Sequence, residues 1–209
     1  TATTEIYTRT YIFPYTTLFR SMFRSNGIKV QNSIDPFYIE DNGHKYLFWG
    51  SFRGIYAIEL SEDGLSLKSG SSPVQIAGTA YEGTYIHKRG GYYYMFASIG
   101  SCCEGLKSTY TTVVGRSTSL FGPYLDKKGQ SMMDNHHEIL IHKNDSFVGT
   151  GHNSEIVSDN AGTDWLFYHA VSVANPDGRV LMLDKIDWID GWPSVEGNSP
   201  SVKSEKPRF

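Results

Sequence analysis

The chain has almost no helical periodicity. Apolar residues do not recur at three- and four-residue intervals over any useful length, which argues against an α-helical or α/β domain. No apolar run approaches the roughly 20 residues of a membrane span, so no helical membrane anchor is read. Charge of one sign is also scarce: a net charge of −3 at pH 7 gives no electrostatic footing for nucleic acid or an anionic bilayer. Only two cysteines are present, Cys102 and Cys103, and they are adjacent. Neighbouring residues rarely reach good disulfide geometry, and no second pair suggests zinc, so two free thiols and a vicinal bridge both stay open. A positively charged, then apolar, leader is absent from the first residues. Residues 1–22 (TATTEIYTRTYIFPYTTLFRSM) instead lack any clear period and do not resemble the rest of the chain. They read as foreign to the natural protein, a read-through or adapter-derived translation, with the domain occupying residues 23–209.

Aromatic rings are plentiful. They make up 14% of the 209 residues, with 14 Tyr and 4 Trp, which suits β structure and also sugar-binding surfaces. Strand-like runs recur as YLFWGS (46–51), IYAIEL (55–60), YYMFAS (93–98), TYTTVVGRS (109–117), EIVSD (155–159), WLFYHA (165–170) and VLMLDKIDW (180–188). AYEGTYIHKRGGYYYMFA (80–97) reads as one antiparallel hairpin with Glu82 at its entrance. Gly-containing turns (DNG, EDG, RGG, DNAG, PDG, DGWP) separate the runs, the pattern of an all-β propeller, barrel or sandwich.

Three segments, EDNGHKYLFWGS, HKRGGYYYMFAS and SDNAGTDWLFYHA, share a polar turn with Gly followed by an aromatic strand ending in a small residue. Their strands start at Tyr46, Tyr93 and Trp165, 47 and then 72 residues apart. The first step is close to the length of a four-stranded propeller blade, and the second fits a blade with an insertion. A coincidence of turn–strand units would look the same. If they are blades, three do not close a circle, and the chain is part of a propeller.

Asp35, in SIDPF, precedes one aromatic strand pair much as Glu82 precedes another. Alone, each has an ordinary explanation: Asp before Pro starts a turn, and a strand-end acid is solvated. In a propeller, however, innermost strands converge on one axial opening. Carboxylates at their starts would meet there, and paired carboxylates in an aromatic pocket cut glycosidic bonds.

SIDPFYIEDNGHKYLFWGSFRGIYAIEL, YEGTYIHKRGGYYYMFASIGSCCEGLKSTYTTVVGRSTSLFGPY, GTGHNSEIVSDNAGTDWLFYHA and IDWIDGWP together resemble glycoside hydrolase family 43, within it the endo-α-1,5-L-arabinanases. The resemblance covers about residues 31–200 and implies a five-bladed β-propeller, of which about three blades are present, that hydrolyses α-1,5-L-arabinan with inversion. It implies Glu82 as general acid and Asp35 as the second carboxylate, tuning the acid and positioning substrate. The first-blade Asp expected as general base has no counterpart; Glu5 is the sole acid in residues 1–30. The chain by itself is therefore expected to lack hydrolysis. The resemblance further implies a hydrated calcium ion beside His152, a secreted or periplasmic location, and arabinan or arabino-oligosaccharide as partner. Ser51 and Phe52 are expected to contact the sugar. Arg179 falls where members acting on xylosides place an arginine, and is otherwise a turn residue. His136 and His137 are read as a surface loop, Cys102 and Cys103 as shaping a loop beside the pocket. An exo-acting α-L-arabinofuranosidase or β-xylosidase, and a non-catalytic glycan-binding propeller, are the competing readings.

Overall fold

A computed structural model describes residues 30–209, which are all-β. The segment 1–22 and Glu5 lie outside the described residues. Three antiparallel four-stranded units succeed one another. The first comprises β1 (Phe37–Asp41), β2 (His44–Trp49), β3 (Ile55–Glu59) and β4 (Val74–Ala77). The second comprises β5 (Glu82–Arg89), β6 (Tyr92–Ile99), β7 (Thr111–Ser117) and β8 (Glu138–Ile141). After β9 (Phe147–Gly151), the third comprises β10 (Ile156–Ser158), β11 (Asp164–Ser172), β12 (Arg179–Ile189) and β13 (Trp192–Ser194). The three repeated aromatic strands are β2, β6 and β11, the second strand of each unit.

Local chemistry explains the tightest turns. Asn42–Gly43, Gly90–Gly91 and Asp190–Gly191 each join two strands through two residues that both have positive φ. Such loops match the right-handed twist of the flanking strands, and Asn, Asp and Gly tolerate the conformation best. β9 carries no strand signal in its sequence. It pairs antiparallel with β11 and touches β7 in parallel at Thr111 and Thr150, so it links the second and third units into one sheet.

The second unit is buried on both faces, and its strand alternation shows how. Along β6, Tyr93, Met95 and Ala97 join a core shared with the first unit, including Phe48, Ile55, Ile76 and Tyr81. Tyr94 and Phe96 point the other way into a core with Leu166, Tyr168, Met182 and Ile186 of the third. Neighbours on β7 divide likewise, Val113 to one core and Val114 to the other. A strand buried on both faces carries a continuous apolar run, as YYYMFA does.

Two consecutive cations at the end of β5 fasten both neighbours. Lys88 pairs with Asp41 of β1, which also accepts from the Tyr93 hydroxyl at 2.7 Å. Arg89 donates to Asp164 of β11 at 3.0 Å, and Trp188 Nε1 donates to the same carboxylate at 2.7 Å. Burial opposes ionisation of Asp41, but the hydrogen bonds from Lys88 and Tyr93 outweigh it and hold its carboxyl below the ordinary range. Asp164 is nearly enclosed, and its removal would take the acceptor from the partly buried Trp188 indole N–H and leave the Arg89 guanidinium without its partner. Asp164→Ala is therefore expected to cost about 2–3 kcal/mol, a fall in Tm of very roughly 5–10 °C by thermal unfolding.

Candidate active site

Three stretches meet at one opening, and each lies at the start of its unit's first strand. Asp35, Pro36 and Phe37 come from the first unit, Gly83, Thr84 and Tyr85 from the second. His152, Asn153, Ser154 and Glu155 come from the break between β9 and β10. Together they line a cavity of about 410 Å³. Serial units that each begin at this opening bring residues far apart in sequence within contact distance.

Asp35 (φ 55°), Phe52 (φ 50°) and His152 (φ 49°) all adopt left-handed backbone conformations. This is uncommon for non-glycine residues, above all for a bulky ring such as Phe, and persists only where the surroundings enforce it. Here the enforcement is visible. The Gly83 N–H donates to Asp35 Oδ2 at 3.2 Å, the Phe52 N–H to the Tyr81 carbonyl at 2.8 Å, and the His152 N–H to Ser98 Oγ at 2.7 Å.

Glu82 is 7% exposed and stands directly behind the cavity wall formed by the next three residues. Ser51 Oγ donates to its Oε2 at 2.7 Å, and the Tyr110 phenol also bonds its carboxylate. Ser51, expected at the sugar, is itself buried and its hydroxyl is spent on Glu82. Burial pushes the Asp35 carboxyl above its ordinary range, and the neighbouring Glu82 charge adds to this. His152 and the Gly83 amide act in the opposite sense.

Gly83 explains why glycine succeeds the acid. Its φ is +61°, and a Cβ there would lie 3.1 Å from His152 Nδ1. Glu82 and Gly83 sit at a β-bulge, where pairing with β6 shifts register between Glu82 and Tyr85. Gly151 serves Tyr110 in the same way, since a Cβ at Gly151 would meet Tyr110 Cδ1 at 2.2 Å. That space admits a column of rings. Tyr110 stacks on His169 at 5.6 Å and His169 on His152 at 6.3 Å, all nearly parallel. Tyr110 Oη also lies 3.5 Å from His152 Nδ1. Burial, then the charges of Arg179 and His152, lowers the His169 pKa to about 4, so this middle ring is neutral at pH 7.

The other expected residues are scattered around this centre. Phe52 is partly exposed beside the Ser51–Glu82 contact. Arg179 opens β12, is exposed, and sits 3.4 Å from His169 Nε2, outside the cavity lining. His137 is not a free surface residue: its Nδ1 lies 3.0 Å from the Tyr81 hydroxyl, while His136 is exposed. Cys102 and Cys103 are joined as a vicinal disulfide. Among the described residues no group of three or more His, Cys, Asp or Glu could hold a metal ion, so His152 has no set of direct protein ligands around it. Sequence reasoning misses Tyr110, His169, Thr84, Asn153 and Glu155. STY and YHA are visible as motifs, but nothing local to them indicates that their rings stack.

Asp35, half-buried, feels the charge of the enclosed Glu82, and the two carboxyls stand where the first strands of successive units begin. The sequence matches the model of glycosyl hydrolases family 43 over residues 14–193, and the chain belongs to that family. The match takes in part of the segment 1–22. An extracellular exo-α-(1→5)-L-arabinofuranosidase of Cellvibrio japonicus is 37% identical over 185 residues, covering 79% of this chain and 52% of that protein. An extracellular endo-α-(1→5)-L-arabinanase of Bacillus subtilis is also 37% identical, over 181 residues, covering 83% and 54%. Among solved structures, a Cellvibrio cellulosa α-L-arabinanase complexed with arabinohexaose superposes with a TM-score of 0.75 at 34% identity, covering 82% of this chain and 60% of that one. The chain spans about half the length of these curated relatives.

The raised Asp35 pKa makes a stability prediction. A carboxyl with a raised folded-state pKa binds its proton more tightly when folded, so stability falls as pH rises from the ordinary value of 3.8 through the folded value. Asp35→Asn is expected to unfold at a higher temperature than the unsubstituted chain at pH 7. The gap should close as the pH is brought down to about 4 and below.

Proposed function

We propose that this chain belongs to an inverting hydrolase of α-1,5-linked L-arabinan, with Glu82 as proton donor and Asp35 as the carboxylate that tunes and positions it. The observation that carries the reading is the junction of Asp35, His152 and Gly83, the residue that follows Glu82, at one opening built from three strand starts. The names of both relatives specify α-(1→5)-linked L-arabinose, which supports the substrate class, and the word extracellular in them supports secretion. The three units are read as three blades of a five-bladed propeller, their first strands facing its axis.

Within this reading Glu82 gives its proton to the departing sugar oxygen. Ser51 and Tyr110 fix its carboxyl, so little reorientation is needed as the bond breaks. Asp35 stands beside the acid, its carboxylate held by the Gly83 amide. Inversion also needs a base, roughly 6.5–9.5 Å from the acid, to deprotonate the attacking water. No carboxylate among the described residues is assigned that role, and the proposal is that the chain binds arabinan without cleaving it. Incubation with linear α-1,5-arabinan should release no reducing oligosaccharide; release that disappears in Glu82→Gln would overturn the statement.

Endo action is favoured by the Bacillus relative, and the name of the Cellvibrio relative keeps exo action as the second reading. A β-xylosidase stays an alternative, with Arg179 outside the cavity lining. The aligned acid pair weighs against a purely glycan-binding propeller. Calcium belongs to the proposal as an ion held largely by water: it prefers several oxygen ligands, and His152 alone does not form such a set. Such an ion would supply positive charge near the acids. Calcium should raise the Tm of the unsubstituted chain and leave His152→Ala unmoved; an equal response from both would remove His152 from the site.

A further inference from the structure

Another cavity, of about 360 Å³, lies where the second and third units meet, at the far end from the candidate active site. Tyr92 lines it and pairs with Arg89 at one end of the β5–β6 hairpin, whereas Ser98 pairs with Glu82 at the other. The strand from 92 to 98 separates the two places by roughly 20 Å, at about 3.3 Å per residue. Arg116, near the end of β7, is packed there against two rings, 4.3 Å from the centroid of Tyr92 and 4.5 Å from that of Trp192. Its Nη1 donates to the Gly191 carbonyl at 3.0 Å, and a Cβ at Gly191 would lie 3.2 Å from the same nitrogen. Lys127 brings a second cation over the Trp192 ring, 5.8 Å from its centroid.

These two cations differ from Lys88 and Arg89, each of which pairs with a buried Asp. Among the described residues neither Arg116 nor Lys127 enters an ion pair, and Nη1 is the one guanidinium nitrogen of Arg116 with a hydrogen bond. The acid in the lining, Asp126, is committed elsewhere. Its Oδ1 accepts from the amides of Lys128 and Gln130, both at 2.8 Å, and so shapes the turn that carries Lys127. Glu138 reaches the backbone amide of Lys127, not its ammonium. A guanidinium held by rings and a carbonyl is already oriented, and its unspent N–H edge matches a carboxylate. Leu125, the partly exposed Tyr92 and the exposed Thr118 add apolar surface and hydroxyls to the same lining. A volume of this size suits a small organic ligand more than a bare ion. Rings beside hydroxyls suit a sugar, which offers a C–H face and hydroxyls in return.

We propose that this cavity is a second glycan site, remote from the acids, which takes a sugar bearing a carboxylate and holds that carboxylate on Arg116 and Lys127. The site goes beyond the arabinan reading and does not rest on it. An acidic peptide would satisfy the two cations but leave the hydroxyl and apolar lining unused.

The experiment is a calorimetric titration of the full 209-residue chain with a galacturonic acid trimer, at low and at raised salt. Binding is expected, and it should weaken with salt, because the contacts are between accessible charges. Lys127→Ala removes an exposed side chain and keeps the backbone amide on Glu138, so its Tm should hold while binding weakens about 3- to 5-fold. Arg116→Lys keeps the charge and loses the planar fork, which should weaken binding about 10-fold. Absence of binding by the unsubstituted chain would overturn the proposal. So would unchanged binding in Lys127→Ala, whatever Arg116→Lys does to folding. Binding lost in Asp35→Asn and kept in Lys127→Ala would move the ligand to the other cavity, with the same result. Equal affinity for a triglutamate peptide would defeat the assignment to a sugar. Galacturonate binding that needs Lys127, in a chain that fails to bind arabinohexaose, would uphold this site and defeat the arabinan reading alone.

Discussion

Lys88 and Arg89 stand next to each other at the end of one strand, and the architecture hangs on that adjacency. Successive side chains on a strand point to opposite faces, so one cation reaches Asp41 of the first unit and the other Asp164 of the third. Both cations are about half exposed, which limits the Coulombic gain of either pair. Their importance is geometric: the acids are buried and would be uncompensated without them. The middle sheet thereby acquires two fixed neighbours, and apolar packing on both of its faces fills the space so defined. Burying rings such as Tyr94, Phe96 and Phe48 is worth roughly 1.5–3 kcal/mol each, far more than the pairs themselves.

Fixing the units also fixes where their first strands begin, and there stability is given up. Two non-glycine residues in left-handed conformations, Asp35 and His152, and a carboxyl pushed above its ordinary range meet at one 410 Å³ cavity. Features of this kind cluster where a protein binds or reacts, because only a ligand or a transition state returns their cost. The surrounding hydrogen bonds from Gly83, Ser98 and Ser51 are what keep the strained arrangement in place.

Much of the frame is legible from residues alone. Asn–Gly, Gly–Gly and Asp–Gly between aromatic runs identify two-residue hairpins, and the shared plan of a Gly-containing polar turn followed by an aromatic strand identifies β2, β6 and β11 as equivalent. Asp35 and Glu82 are recognisable as a pair because they occupy the same place in successive repeats. The illegible part depends on contacts distant in sequence. Ser51 looks like a sugar contact beside a ring, yet its hydroxyl is committed to an acid 31 residues away. β9 carries two glycines and no alternation, so its strand character comes from pairing with β11, not from propensity. The Tyr110–His169–His152 column joins three stretches of chain that no local pattern relates. The vicinal disulfide could not be chosen over free thiols, since adjacency argues against it.

Gly83 and His152 occupy one volume between them. The hydrogen on the Cα of Gly83 faces the imidazole at a distance no methyl group could share without displacing it. A side chain gained at 83 would make the ring at 152 give way by a few tenths of an ångström. A lineage that abandoned the histidine would open the space at position 83, yet the left-handed backbone there would still hold it to glycine.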